Sequence, residues 1–126
     1  GRSIIPLYIL PTEAEEGGWP LMGAAKFWQH HSLNNLQHAL AALGSGLVLR
    51  DGGRGDGGTL LQLLEVIAES GATDLYFCSC YEPWRQDRDT EIMRVLTESG
   101  IRTHCQRGSL LFAPWDARPD EKGGGN

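Results

Sequence analysis

Three stretches of the chain share one order of polar and apolar positions: an amphipathic helical pattern, a glycine, then a short apolar run. In the first, Leu33, Leu36, Leu40 and Leu43 recur at helical spacing. Ser32 offers a side-chain oxygen as N-cap, and Gly44 is the stop before Leu47-Val48-Leu49. The second runs from Thr59 through Leu60, Leu64 and Ile67 to Gly71 and then Leu75-Tyr76-Phe77. The third runs from about Asp87, with Asp87 or Asp89 as cap, through Ile92, Val95 and Leu96 to Gly100 and Ile101.

Helical patterns alternating with continuous apolar runs predict βαβ units around a parallel sheet, because a strand covered on both faces needs no polar side. The chain reads as a single α/β domain with a Rossmann-like parallel sheet. Its strands are expected near 4–10, 47–50, 74–78 and 101–105, and right-handed crossovers place helices on both faces. Ser109-Leu110-Leu111-Phe112 is a candidate further strand. The polar, glycine-rich run from Asp120 to Asn126 lies beyond the core.

Composition narrows the function classes. A chain of 126 residues has room for one core, and a net charge of −5 with 40% hydrophobic residues excludes a basic nucleic-acid surface and a disordered tail. Any DNA-related role therefore needs a local basic patch or sequence outside this chain. Cys78, Cys80 and Cys105 are odd in number and sit in or beside predicted strands, which fits reduced core thiols. With no membrane span and no secretory leader at the start, the expectation is a soluble intracellular protein.

The strongest chemical signal is the run Tyr81-Glu82-Pro83-Trp84-Arg85-Gln86-Asp87-Arg88-Asp89, which turns a strand into a helix with a carboxylate at the corner. Ligands of open α/β sheets bind beyond the carboxyl ends of the strands, so Glu82 stands where a ligand-facing acid would be placed. The residues alone also allow an ordinary corner, with Glu82 bonded to backbone amides or paired with Arg85 or Arg88. Gly53-Arg54-Gly55-Asp56-Gly57-Gly58 fits GxGxxG between a strand and a helix, with Asp74 further on. In so glycine-rich a loop that pattern is weak, and Asp74 precedes its strand instead of ending it. Cys78-x-Cys80 and His104-Cys105 are zinc-ligand types, but a CxC along an extended segment lacks the tight CxxC turn, so no metal site is assigned. Cys80, nearer the loop, is placed at the mouth of the site. His30 and His31, before the expected Leu33 helix, have no partner nucleophile and read as packing around Trp28.

Taken in order, five segments resemble the N-terminal α/β domain of photolyases and cryptochromes. They are Ile5-Pro6-Leu7-Tyr8-Ile9-Leu10, the run from Gly23 to Leu33 with Lys26-Phe27-Trp28-Gln29-His30-His31-Ser32, then Leu43 to Leu49. After these come Tyr81-Glu82-Pro83 with Arg88-Asp89, and Gly108 to Trp115. The resemblance implies a partial domain over 3–113 and the start of an interdomain linker over 114–126. It implies that the N-terminal domain helps seat an antenna chromophore, a deazaflavin or a folate. FAD and damaged DNA would be held only by a C-terminal helical domain that this chain lacks, so that domain of the same protein is the expected partner, with no membrane involved. The whole protein would be a FAD-dependent, light-driven deoxyribodipyrimidine photolyase or a blue-light photoreceptor, and this fragment has no catalytic residue of its own.

By position, the resemblance matches Glu82 to the acidic residue that deazaflavin-binding relatives place in this loop, and Trp84, Leu10 and Cys80 are the further candidates around the chromophore. Folate-binding relatives tend to carry an Asn-Glu pair where this chain has Trp84-Arg85, which favours a deazaflavin. Trp19, Trp28, Trp84 and Trp115 are expected to pack, Trp84 being the exposed one near the loop, and not to form a redox chain. Relatives also begin with one more strand, central in the sheet between those at 4–10 and 74–78. The expectation is thus a domain without that strand. The alternative from another class is a stand-alone nucleotide-binding α/β module that uses the Gly53–Gly58 loop.

Overall fold

The structure, a computed structural model, describes residues 2–55 and 57–108. The candidate strand at 109–112, the linker and Trp115 lie outside the described residues. In chain order the elements are β1 (Leu7–Leu10), a 3-10 turn (Ala14–Glu16), α1 (Gly23–Ala42), β2 (Val48–Asp51), α2 (Gly58–Ser70), β3 (Asp74–Cys78), α3 (Pro83–Glu98) and β4 (Arg102–Gln106).

Strand positions follow the apolar runs, while two helix starts depart from expectation. α1 begins at Gly23, so His30, His31 and Ser32 lie inside the helix and not before it. No breaker separates Gly23 from Gly44, and a cap-type side chain in mid-helix simply points to solvent, as exposed Ser32 does. α3 begins at Pro83, not Asp87, with Glu82 as an extended N-cap residue at φ −68° and ψ 133°. Proline's fixed φ and absent N–H suit the first helical position, and that outweighed the more distant aspartates. The far ends behave as expected. At Gly44, φ is 76° and the Ser45 N–H donates to the Leu40 carbonyl at 2.9 Å.

β1 pairs parallel with β2, Leu7 opposite Val48 through Leu10 opposite Asp51. β3 pairs parallel with β4, Asp74 opposite Arg102 through Cys78 opposite Gln106. These are two separate two-stranded sheets, and β1 and β3 are not hydrogen-bonded to each other. The split falls where the resemblance puts a central strand.

One core serves both sheets. Leu63 of α2 and Ile92 and Leu96 of α3 are buried together, and Leu7, Ile9, Leu75 and Ile101 pack on them from the strands. Side chains alternate along a strand, so Tyr8 points to the opposite face. There Gln29 of α1 donates from Nε2 to Tyr8 Oη at 2.7 Å. Helices thus cover both faces, α2 and α3 on one and α1 on the other, and no residue of α1 is buried.

The thiols are free, but the core reading of Cys78 is corrected. Cys78 and Cys105 are exposed and Cys80 is half-buried. Cys78 and Cys105 lie toward the carboxyl ends of β3 and β4, while the buried cluster holds those strands through Leu75 and Ile101 near their amino ends.

Candidate functional site at the strand carboxyl ends

The loop leaving β1 builds itself around one glutamate. The Glu15 N–H donates to Thr12 Oγ1 at 3.2 Å, and the Thr12 N–H donates back to Glu15 Oε2 at 2.8 Å, a reciprocal cap. The same carboxylate reaches the first turn of α2, where the Thr59 N–H donates to Oε1 and the Thr59 hydroxyl to Oε2, both at 2.9 Å. Burial, the largest single influence, pushes the Glu15 pKa up, but the hydrogen bonds from Thr12 and Thr59 together outweigh it and hold the pKa below its ordinary value. Sequence reading passed over Glu15, although Thr12-Glu13-Ala14-Glu15 carries the Thr-x-x-Glu signature of such a cap.

This placement bears on the glycine loop. A phosphate held by GxGxxG sits on the N–H groups that open the following helix. Here Glu15 already takes the Thr59 N–H, and a Cβ at Gly58 would stand 2.8 Å from Glu15 Oε1. A second anion there would meet a carboxylate at close range, which disfavours the phosphate-loop alternative.

The loop leaving β3 carries the predicted acid. Glu82 Oε2 accepts the Tyr81 N–H at 3.2 Å, and Oε1 lies 3.4 Å from Arg85 Nη1, with the side chain 44% exposed. Its own backbone N–H lowers the Glu82 pKa most. Burial opposes this, and Arg85, the Tyr81 N–H and Arg88 add to the lowering, so the group is anionic at neutral pH. Arg85 turns its other end to the first loop. Nη2 donates to Glu16 Oε2 at 2.8 Å, and this bond is the main reason its pKa is raised. Arg85 Nε is buried without a hydrogen-bond partner.

Trp84 lies on the same junction. Gly17 adopts φ 68°, and a Cβ there would stand 2.8 Å from the Trp84 ring, so the indole rests on a turn that only glycine leaves open. Cys80 is within electrostatic reach of Arg85. Leu10 ends β1 and leads into the first loop, its carbonyl accepting the Gly52 N–H at 2.8 Å. The structure therefore gathers Cys80, Glu82 and Trp84 against Glu16 and Gly17, with Leu10 at the foot of the same loop.

The other sequence candidates stand elsewhere. Asp74 opens β3 at the opposite end, bonded by the Thr73 hydroxyl at 2.7 Å, Arg102 Nη2 at 2.9 Å and His104 Nε2 at 3.1 Å. Those partners, Thr73 first, hold its pKa far below the usual carboxylate range. The His104 ring stacks on Tyr76, centroids 4.3 Å apart, and is committed to that strand face. Among the described residues no three His, Cys, Asp or Glu side chains gather as metal ligands. The tryptophan reading needs correction, since Trp19 and Trp28 are 83% and 67% exposed against 40% for Trp84. Trp28 belongs to the helix that the sheets bury least.

Parallel strands under helices on both faces define a Rossmann-like α/β domain. The chain belongs to the DNA photolyase family, whose sequence model matches residues 1–125. It is 34% identical over 114 residues to cryptochrome-2 of Arabidopsis thaliana, covering 90% of this chain and 18% of that protein. It is 33% identical over 125 residues to the deoxyribodipyrimidine photo-lyase of Agrobacterium fabrum, covering 99% of this chain and 24% of that protein. The solved structure of a bacterial class III photolyase from Agrobacterium tumefaciens superposes with a TM-score of 0.80 at 31% identity, covering 94% of this chain and 23% of that one. The chain thus corresponds to the N-terminal α/β domain of photolyases and cryptochromes and spans about a quarter or less of such relatives' length.

Proposed function

We propose that this domain seats an antenna chromophore, a deazaflavin in preference to a folate, in a photolyase or cryptochrome whose catalytic half is a helical FAD domain. The observation that carries this is Glu82. It is anionic and 44% exposed, it is held by the Tyr81 N–H at 3.2 Å and by Arg85 at 3.4 Å, and it stands at the N-cap of α3 at the carboxyl end of β3, on the loop that also carries Trp84. An ionised carboxylate with acceptor capacity left over, on a loop that also carries an indole, suits a planar, N–H- and O–H-bearing ring system. Glu82 would accept from the pigment's polar edge, Trp84 would offer its ring, and Leu10 and Cys80 would line the approach. When bound, such a pigment absorbs light and passes the excitation energy inward.

In this reading the fragment has no chemistry of its own. The whole protein would reverse pyrimidine dimers by photoinduced electron transfer from reduced flavin, or signal in response to blue light, and damaged DNA would meet it only through the FAD domain. Titrating the purified chain with a deazaflavin, a reduced folate and ATP, followed by absorbance and fluorescence, tests it. Saturable deazaflavin binding is expected. Saturable ATP binding abolished by Gly55→Val would instead establish the phosphate-loop alternative.

A further inference from the structure

We infer that Glu16 and Asp89 are positioning residues, which draw Arg85 and Arg88 away from Glu82 and so keep its carboxylate open to a donor group of the ligand. Two cations face Glu82, and each is engaged more closely by another acid. Arg85 Nη2 donates to Glu16 Oε2 at 2.8 Å, while its Nη1 only approaches Glu82 Oε1 at 3.4 Å. A charge-assisted N–H···O bond spans about 2.7–2.9 Å, so the first contact is a bond and the second a loose ion pair. Arg88 is occupied in the same way, since Nε and Nη2 both donate to Asp89 Oδ1, at 2.9 and 2.8 Å.

The Arg85 guanidinium bears the mark of this competition. Its Nε is buried and has no hydrogen-bond partner among the described residues. A guanidinium turned with Nε and one Nη onto Glu82 would satisfy that donor and make the two parallel bonds that arginine forms best with a carboxylate. Glu16 prevents the turn because it is the better-placed acid. Its side chain is 12% exposed against 44% for Glu82, so water screens its attraction for the shared cation less. Its backbone is also fixed independently of Arg85. The Glu16 N–H donates to the Thr12 and Glu13 carbonyls at 3.2 Å, Glu15 ties the same turn to Thr59, and the Trp84 ring covers Gly17.

The arrangement also limits what Glu82 accepts. Three carboxylates, Glu16, Glu82 and Asp89, meet two guanidiniums, Arg85 and Arg88, with the Cys80 thiol in electrostatic reach of Arg85. The uncompensated negative charge falls on Glu82, the acid with the weakest hold on a cation. A ligand edge placed there must therefore offer N–H or O–H donors and be neutral or cationic, because an anionic edge would be repelled. This consequence for the ligand rests on the chromophore reading above, whereas the coupling among the charges does not.

Carboxyl carbon NMR on the purified chain, with the Glu82 signal identified by its loss in Glu82→Gln, tests the coupling without a ligand. In Glu16→Gln the freed Arg85 should pair with Glu82, which should then titrate at lower pH than in the native chain. Glu16→Asp, which keeps the charge but shortens the reach, should shift Glu82 the same way by less, and it decides the matter should Glu16→Gln not fold. Adding Arg85→Gln to Glu16→Gln should reverse the shift. Deazaflavin affinity should fall about tenfold in Glu16→Gln, as on loss of one charge-assisted hydrogen bond, and recover in the double variant. A plain clamp between loops predicts instead a double variant that binds at least as weakly as the single one. That result, or a Glu82 titration unmoved in both Glu16 variants, would overturn the inference. A native chain that binds no deazaflavin would remove the chromophore reading alone, and the Glu82 titration would still decide this one.

Discussion

The two faces of the sheets are finished to different degrees. On the α2–α3 face, Leu63, Val66, Ile92 and Leu96 are buried, Leu96 completely. On the α1 face nothing from the helix is buried, and Phe27, Trp28, Leu36 and Leu43 remain exposed, as does Tyr76 of β3. The difference teaches that the candidate site draws on the same closed face that holds the fold. The closed face holds the fold, and the clamp it positions between Arg85 and Glu16 presents Glu82. The open face contributes little to stability in the chain alone.

The sharpest way to break that contrast is to cut into the closed face. Leu96→Ala should cost about 2–5 kcal/mol, since a fully buried leucine leaves both lost burial and a cavity, and denaturant melting would read it. Little change there would mean that α3 is not seated on the core.

Next comes the glutamate that ties the β1 loop to α2. Glu15→Ala should cost about 1–2 kcal/mol, the range for a lost cap with partners left unsatisfied. Its effect depends on pH in a defined sense. The folded pKa is depressed, so the carboxylate's contribution is complete above its ordinary value of 4.5 and is lost as pH falls through the lower folded value. The melting temperature of the native chain should therefore fall more steeply than that of Glu15→Gln as pH drops below 4.5.

The smallest effect belongs to the open face. Trp28→Ala should change stability by no more than about 0.5 kcal/mol, because the side chain is 67% exposed. A loss as large as that of Leu96→Ala would show that α1 is covered by contacts of a second copy, and the comparison would fail.

Much of this was legible in the sequence. Apolar runs located the four described strands, and Gly44, Gly71 and Gly100 marked helix ends, because both signals are local. The α1 start was not legible, since Ser32 looks like a cap yet lies in an unbroken run of helix-compatible residues. The exposure of Cys78 and Cys105 depends on how far the buried cluster extends along neighbouring strands, a tertiary property. The separation of β1 from β3 is a matter of non-local pairing, and only the resemblance suggested it. Glu82 was singled out as a candidate from its place after β3. Its neighbours Glu16 and Gly17 come from a loop far away in sequence, and only the fold brings them to Arg85 and Trp84.

The central claim is that Glu82 is a ligand-facing acid and not a structural one, and a fluorescence titration of deazaflavin against the native chain and Glu82→Gln tests it most directly. The account predicts binding weakened by about tenfold, the loss of one charge-assisted hydrogen bond, with the melting temperature unchanged. Equal affinity in the two proteins, or a variant that loses stability and not binding, would contradict it.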